Sequence, residues 1–365
     1  MVTGHAGAQI PFIHDGTQAV QIFFMISGFY MALILDGKYT SLRQFYASRS
    51  LRIFVPYYMA VLFVILVSLV SGVLFSHYLA LHPFFDATRN NGLAGVVLAT
   101  LSNVTLLFQD VILYLSQPAG QALRTTANFV ADPFPLWHYQ LVPQCWSVSL
   151  ELMFYLLVPF LARISSARLV AVAGSSLLLR VFAYEVLELK ADPWAYRFFP
   201  FEIALFVLGM LGYRFYRRFL KQRPRKEAHP RLARLYSLGA ATAFTAAHAY
   251  VVLHLTLLVG RPYGLLLSYA LWPFGLGLLF HLGRSDRFDQ KVGELSYPVY
   301  LLHFVLNMFL WVIFHRLGWP AAEWTTGFAL VCAAVATGVA GLMYHFLLRP
   351  FEAWRGRLVS RGAAA

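Results

Sequence analysis

Residues 55–76 read VPYYMAVLFVILVSLVSGVLFS, a run without a single charged side chain. A helix needs about 20 apolar residues to cross the hydrocarbon core of a bilayer, and this run is long enough. The sequence therefore predicts an all-α, polytopic membrane helix bundle with about ten transmembrane helices. The apolar runs of the chain are 19–35, 55–76, 95–117, 146–162, 169–187, 199–216, 235–259, 264–283, 295–315 and 324–347, with a shorter one at 2–13.

The composition excludes an ordinary soluble protein. Hydrophobic residues make up 59% of the 365 residues and charged residues only 12%, whereas soluble domains contain roughly 25% charged residues. The 20 tyrosines and 8 tryptophans suit a protein with two membrane–water interfaces, where aromatic rings with a polar end collect. The two cysteines cannot form a disulfide framework or a metal site, and no metal-ligand spacing occurs, so no metal is expected.

The net charge of +13 is interpreted as topology and not as nucleic-acid binding, since basic loops stay on the cytoplasmic side. The loops 36–54 and 217–234 and the C-terminal end are rich in arginine and lysine and are predicted to be cytoplasmic. We expect a membrane domain over 1–350, a basic cytoplasmic tail over 351–365, and a multi-pass location in the inner (plasma) membrane.

The number of apolar runs conflicts with this charge pattern. Five runs lie between the two basic loops, and an odd number of crossings cannot join two cytoplasmic loops. The run 95–117 contains Asn103, Gln109 and Asp110. We therefore predict that it is re-entrant or lies along the outer surface, which requires cover by protein or a wet cavity.

Polar groups inside apolar helices are costly and mark candidate functional sites. Ser27 and Gly28 interrupt one helix, and close helix packing is the favoured interpretation for the glycine. Arg49 and Arg52 are three residues apart and share a helix face. They are either a positive-inside anchor or a clamp for a phosphate-bearing cytosolic donor.

Two further groups of polar residues share helix faces. Ser147, Glu151 and Tyr155 recur every four residues after Trp146, which makes one polar stripe. Ser147 as a helix cap is the structural alternative, and a functional role is favoured. Ser296, Tyr300, His303 and Asn307 follow a spacing of 4, 3 and 4, which indicates either a polar seam between helices or a lined cavity.

In these residues the chain resembles the acyltransferase family 3 proteins, integral-membrane enzymes that O-acylate glycans, glycolipids and similar acceptors. The resemblance covers nearly the whole chain, and five or more blocks in the same order make it specific. The blocks are His5-Ala6-Gly7; Val20–Phe29 (VQIFFMISGF); Phe45…Arg49…Arg52-Ile53…Pro56; Trp146-Ser147…Glu151…Phe154-Tyr155…Pro159; Phe201…Phe206…Gly209-Met210; and Ser296-Tyr297…Tyr300-Leu301…His303.

The resemblance implies transfer of an acyl group, with acetyl expected, from cytosolic acyl-CoA to an acceptor hydroxyl. It implies His5 as general base or transient acyl carrier and Glu151 as its partner. The remaining implied roles fall into two sets. Arg43, Arg49 and Arg52 bind the coenzyme A phosphates, while Ser27, Trp146, Ser147, Tyr155, Ser296, Tyr297, Tyr300 and His303 line the substrate cavity.

One departure from the family pattern concerns the first helix. Family members carry an arginine well upstream of the histidine, and only four residues precede His5. Since the run 2–13 is too short to span a bilayer, we expect the first helix to be truncated at its N-terminus. A transporter or flippase for a polar or lipid-linked substrate is the alternative function, although the matching broken helices of two internal repeats, frequent in transporters, are not found.

Overall fold

The computed structural model describes residues 16–37, 41–86, 90–222, 230–284, 286–319 and 326–361. Within these ranges, nine helical segments are long and apolar enough to cross a membrane, which confirms the predicted helix bundle. The numbered helices are α1 (Gly16–Leu35), α2 (Leu42–Phe75), α3 (Leu93–Thr105), α4 (Trp146–Leu161), α5 (Ser166–Glu185), α6 (Phe199–Phe215), α7 (Pro230–Val259), α8 (Arg261–Ser268), α9 (Trp272–Gly283), α10 (Arg287–Arg316), α11 (Thr326–Met343) and α12 (Arg349–Arg361).

Helix α3 resolves the conflict between apolar runs and loop charge. It has 13 residues, so its length is about 20 Å against the roughly 30 Å of a hydrocarbon core. Without it, α2, α4, α5 and α6 supply four crossings between the two basic loops. The even number places both loops on the same side, in agreement with the prediction that 95–117 does not cross.

The polar residues that set 95–117 apart are covered by protein. Gln109 donates to the Tyr57 hydroxyl of α2 at 2.9 Å, and Asp110 accepts from the Ser149 hydroxyl of α4 at 2.7 Å. The Asn103 side chain donates to the Tyr139 carbonyl at 2.8 Å. These bonds supply the cover that non-spanning backbone needs at membrane depth.

The long segment between α3 and α4 has local structure of its own. The strands β1 (Leu115–Ser116) and β2 (Arg124–Thr125) pair antiparallel. Asp132 accepts hydrogen bonds from the Ser116 hydroxyl at 2.6 Å and the Phe134 amide at 2.9 Å. Burial acts to raise the pKa of Asp132, but these bonds and the charge of Arg124 outweigh it and hold that pKa below its usual value.

Two glycines allow α1 and α6 to pack backbone to backbone. A Cβ atom at Gly28 would lie 1.9 Å from the Phe206 carbonyl oxygen, and one at Gly209 would lie 1.8 Å from the Met25 carbonyl oxygen. No side chain fits in either place, which confirms the packing interpretation of Gly28. Such close approach is how small residues stabilise helix pairs in membranes.

Candidate active site

The interior of the bundle holds a carboxylate bound by two hydroxyls. Glu151, on α4, is 7% exposed. Its Oε1 accepts hydrogen bonds from the Ser27 hydroxyl of α1 and from the Tyr155 hydroxyl one helical turn further on, each at 2.6 Å. The structure therefore brings three of the predicted site residues into direct contact, and two of them come from the same stripe of α4.

Arginines of α2 act on this carboxylate. Arg49 is only 6% exposed, and both Arg49 and Arg52 interact electrostatically with Glu151 and Tyr155. An attraction between opposite charges is stronger in a protein interior than in water. Arg52 and Arg43 are exposed, so the three predicted phosphate-binding arginines occupy different environments.

Ser147 binds a neighbouring helix and is not a helix cap. The N-cap residue of α4 is Cys145, and it makes no side-chain cap hydrogen bond. The Ser147 hydroxyl is instead 2.7 Å from the Tyr300 hydroxyl of α10. The Tyr300 hydroxyl also donates to the Gln144 carbonyl, so the alternative role of Ser147 as a cap is wrong and the residue joins α4 to α10.

The polar face of α10 is divided between the bundle interior and its exterior. His303 is fully buried, and its Nδ1 is 2.7 Å from the Tyr300 carbonyl. Since a carbonyl only accepts, Nδ1 is the donor of this hydrogen bond. Tyr297 donates to the Ile53 carbonyl of α2 at 3.2 Å. Ser296 is exposed and donates to its own helix, so it does not join this group.

The sequence did not reveal the partner of Trp146. The guanidinium of Arg197 lies 4.4 Å from the centre of a Trp146 ring, a cation–π contact. Asp192 fixes this guanidinium with two hydrogen bonds, at 2.7 and 2.9 Å. Burial acts to lower the pKa of Arg197, but the hydrogen bonds that it donates to Asp192 raise that pKa overall. The spacing of residues along the chain cannot predict a contact between two separate segments such as these.

The sequence also did not lead us to predict a second buried carboxylate. Glu202, on α6, pairs with Arg180 of α5, and both side chains are at most 2% exposed. Gln21 of α1 donates to Glu202 at 3.4 Å and accepts from the Tyr269 hydroxyl at 2.7 Å. A charge inside an apolar helix was the available signal, and Glu202 in FPFEIALF carries it.

His5 and the run 2–13 lie outside the described residues, so the contact between His5 and Glu151 stays a prediction. Glu151, Arg49 and Tyr300 come from α4, α2 and α10, and α1 adds Ser27. Four helices thus surround one polar interior site, which defines the class of protein: a polytopic membrane protein with chemistry-bearing groups at its centre.

The family model of the acyltransferase domain, acyltransferase family 3, matches residues 2–344. Because the match covers nearly the whole chain, the chain belongs to this family and is a membrane enzyme that transfers acyl groups. No curated protein and no solved structure shows significant similarity to it.

Proposed function

We propose that the enzyme transfers an acyl group, with acetyl the expected one, from cytosolic acyl-CoA to a hydroxyl of a glycan, glycolipid or similar acceptor. We place it in the plasma membrane, where a cytosolic donor and an outward-facing acceptor meet from opposite sides. The observation that carries the proposal is the Glu151 carboxylate, held inside the bundle by Ser27 and Tyr155 within reach of the charge of Arg49.

The proposed chemistry is the attack of an alcohol on a thioester. The acceptor oxygen bonds to the thioester carbonyl carbon while a base removes the hydroxyl proton. The tetrahedral intermediate then expels the coenzyme A thiolate, which takes up a proton, and the ester remains. We assign the base to His5, because the ordinary pKa of histidine lies near neutrality.

Glu151 is the proposed partner of that base. Both hydrogen bonds described above go to Oε1. Within the described part of the chain no donor is bound to Oε2, so this oxygen can accept from an imidazole N–H. A carboxylate in that position fixes the ring tautomer and stabilises the imidazolium that forms during proton transfer. Glu151 is thus a positioning residue.

The arginines of α2 support two roles. Arg52 and Arg43 are exposed and remain free to meet a donor from the cytoplasm, where their planar guanidinium groups suit phosphate. Arg49 is buried beside Glu151, so it also balances the charge of the carboxylate. Trp146, Ser147, Tyr297, Tyr300 and His303 form the proposed walls of the cavity, and family membership favours acyl transfer over the transporter alternative.

The proposal is tested with purified protein in nanodiscs and acetyl-CoA labelled in the acetyl group, offered with lipid-linked glycan from a bacterial membrane extract. We expect free thiol to appear together with label in an alkali-labile ester on the acceptor. The Glu151→Gln variant should lose both signals, and Glu188→Gln, which changes an exposed carboxylate, should keep them. Thiol release without labelled acceptor, or equal activity in both variants, would contradict the proposal.

A further inference from the structure

A large cavity lies at the cytoplasmic end of the helices that form the candidate active site. Its volume is about 820 Å³, and it is bordered by the end of α1, the start of α2, the turn between α4 and α5, and the end of α6. Four arginines line it, Arg163, Arg214, Arg217 and Arg218, against one carboxylate, Asp36. Counting these groups, four minus one leaves three positive charges in excess.

Two of these arginines hold the walls of the cavity in place. Arg214 donates to the Ile164 carbonyl at 2.6 Å and to the Ser166 hydroxyl at 3.0 Å, across the turn between α4 and α5. Arg217 donates to Asp36 at 2.6 Å, which ties the end of α6 to the end of α1. These contacts build the site and compensate one charge.

The other two arginines have no acidic partner among the described residues. Arg163 and Arg218 are exposed, and in the described part of the chain neither has a carboxylate within salt-bridge distance. Guanidinium groups without an acidic partner bind phosphate oxygens through forked, charge-assisted hydrogen bonds. The N-terminal ends of α2 and α5, at Ser41 and Ser165, also line the cavity and add the favourable field of two helix dipoles for an anion.

The cavity is bordered by the helix face of α4 that also carries Glu151. Pro159 of α4 lines the cavity, and Glu151, Tyr155 and Pro159 are four residues apart in turn, so they share one helix face. Eight residues of helix cover about 12 Å. Glu151 is not part of the cavity lining, so a ligand anchored by its phosphates at the arginines must extend over this distance to reach the carboxylate.

We infer that this cavity holds the phosphorylated nucleotide end of the acyl donor, with Arg163 and Arg218 as its phosphate-binding side chains. The inference rests on the proposed function, since it takes the donor to be a coenzyme A thioester. It adds a binding site, in the turn between α4 and α5 and just after α6, that is separate from Arg43, Arg49 and Arg52 of α2. The adenosine 3′-phosphate is the anionic group assigned to this site, and the diphosphate remains assigned to the arginines of α2.

The test is calorimetric titration of coenzyme A into the purified protein in phosphatidylcholine nanodiscs. Arg163→Ala and Arg218→Ala should each raise the Kd about tenfold, the effect of losing one charge-assisted interaction. Arg168→Ala is the matched control, because it removes an exposed arginine next to the cavity that is not part of the lining. Coenzyme A that lacks the 3′-phosphate should bind to the wild type more weakly than complete coenzyme A does. In at least one of the two cavity variants, the loss of affinity relative to the wild type should be smaller for this analogue than for complete coenzyme A.

Equal Kd values for coenzyme A in the wild type and both cavity variants would overturn the inference. So would a cavity effect confined to nanodiscs that contain phosphatidylglycerol, since it would assign the arginines to a lipid headgroup. Either result leaves the proposed function standing wherever labelled acetyl still reaches the acceptor. Conversely, arginine-dependent binding of coenzyme A without any acetyl transfer would support the cavity and reject the proposed function.

Discussion

Ser27 and Glu151 are 124 positions apart in the chain, and a hydrogen bond of 2.6 Å joins their side chains inside the bundle. The contact fixes α1 against α4 at the level where Tyr155 binds the same oxygen. A buried carboxylate that receives two hydroxyl donors has a defined position. The predictions below test whether the enzyme depends on that position for chemistry or only for packing.

Replacing Glu151 with glutamine keeps the volume of the side chain and removes its charge. We expect kcat to fall at least about 100-fold, the effect of removing assistance to a general base, while the folded protein is retained in similar yield. The measurement is the initial rate of thiol release, and the thermal unfolding curve of the same variant shows whether it is folded. Tyr155→Phe, which removes one of the two hydroxyl donors, should produce a smaller loss of kcat; an unchanged rate in Glu151→Gln would leave the carboxylate a structural role only.

His5→Ala is expected to abolish acyl transfer without preventing folding, because the proposed base would be lost. The measurement is transfer of labelled acetyl to the acceptor, with detergent-solubilised yield as the measure of folding. His254→Ala is the control, since it removes an exposed histidine of α7. Near-normal turnover in the His5 variant would exclude this residue from the chemistry.

The arginines of α2 give a prediction about the donor. Arg49→Ala and Arg52→Ala should each raise the KM for acyl-CoA roughly tenfold, since each removes one charge-assisted contact to phosphate. Arg49→Ala should also lower kcat, because Arg49 is buried beside Glu151. Kinetics measured at varied acyl-CoA and then at varied acceptor separate the two effects. If only the acceptor KM moved, the phosphate-binding role would be wrong.

The sequence predicted what depends on local periodicity. Runs of apolar residues located the spanning helices, and the four-residue spacing of Glu151 and Tyr155 predicted that both lie on one face, where they bond to each other. Loop charge indicated that 95–117 does not cross. The first two of these conclusions use neighbours along the chain, where helix geometry alone sets the distances, and the third uses only the number of crossings between two charged loops.

What the sequence could not supply was the partner on another helix. The bond from Ser27 to Glu151, the contact of Ser147 with Tyr300 and the stacking of Arg197 on Trp146 all depend on how helices rotate and shift against each other. For Ser296 the prediction from spacing was wrong. The spacing places this residue on the polar face of α10 that was expected to line the cavity, yet the residue is exposed.

Substituting alanine for Gly28 should destabilise the fold by about 1–3 kcal/mol, the usual cost of overpacking. The added methyl group would lie 1.9 Å from a backbone oxygen of α6, which cannot rotate away, so α1 and α6 must separate. Gly174→Ala is the matched control, because nothing lies within 4 Å of a Cβ atom there, and it should be neutral or slightly stabilising. Thermal unfolding in detergent compares the two; equal midpoints would show that the helices are not packed as described.

The buried pair of Arg180 and Glu202 provides the last prediction. Glu202→Gln leaves the guanidinium of Arg180 buried without its counter-charge, and breaking such a pair costs roughly 3–5 kcal/mol. We therefore expect a marked fall in the unfolding midpoint, with little folded protein at 37 °C. Removing both charges with Arg180→Met and Glu202→Leu should recover much of the lost stability, because no unpaired charge remains. If the double variant were folded and stable but inactive, the pair would serve the reaction as well as the fold, whereas a single variant as stable as the wild type would show that Arg180 finds another partner.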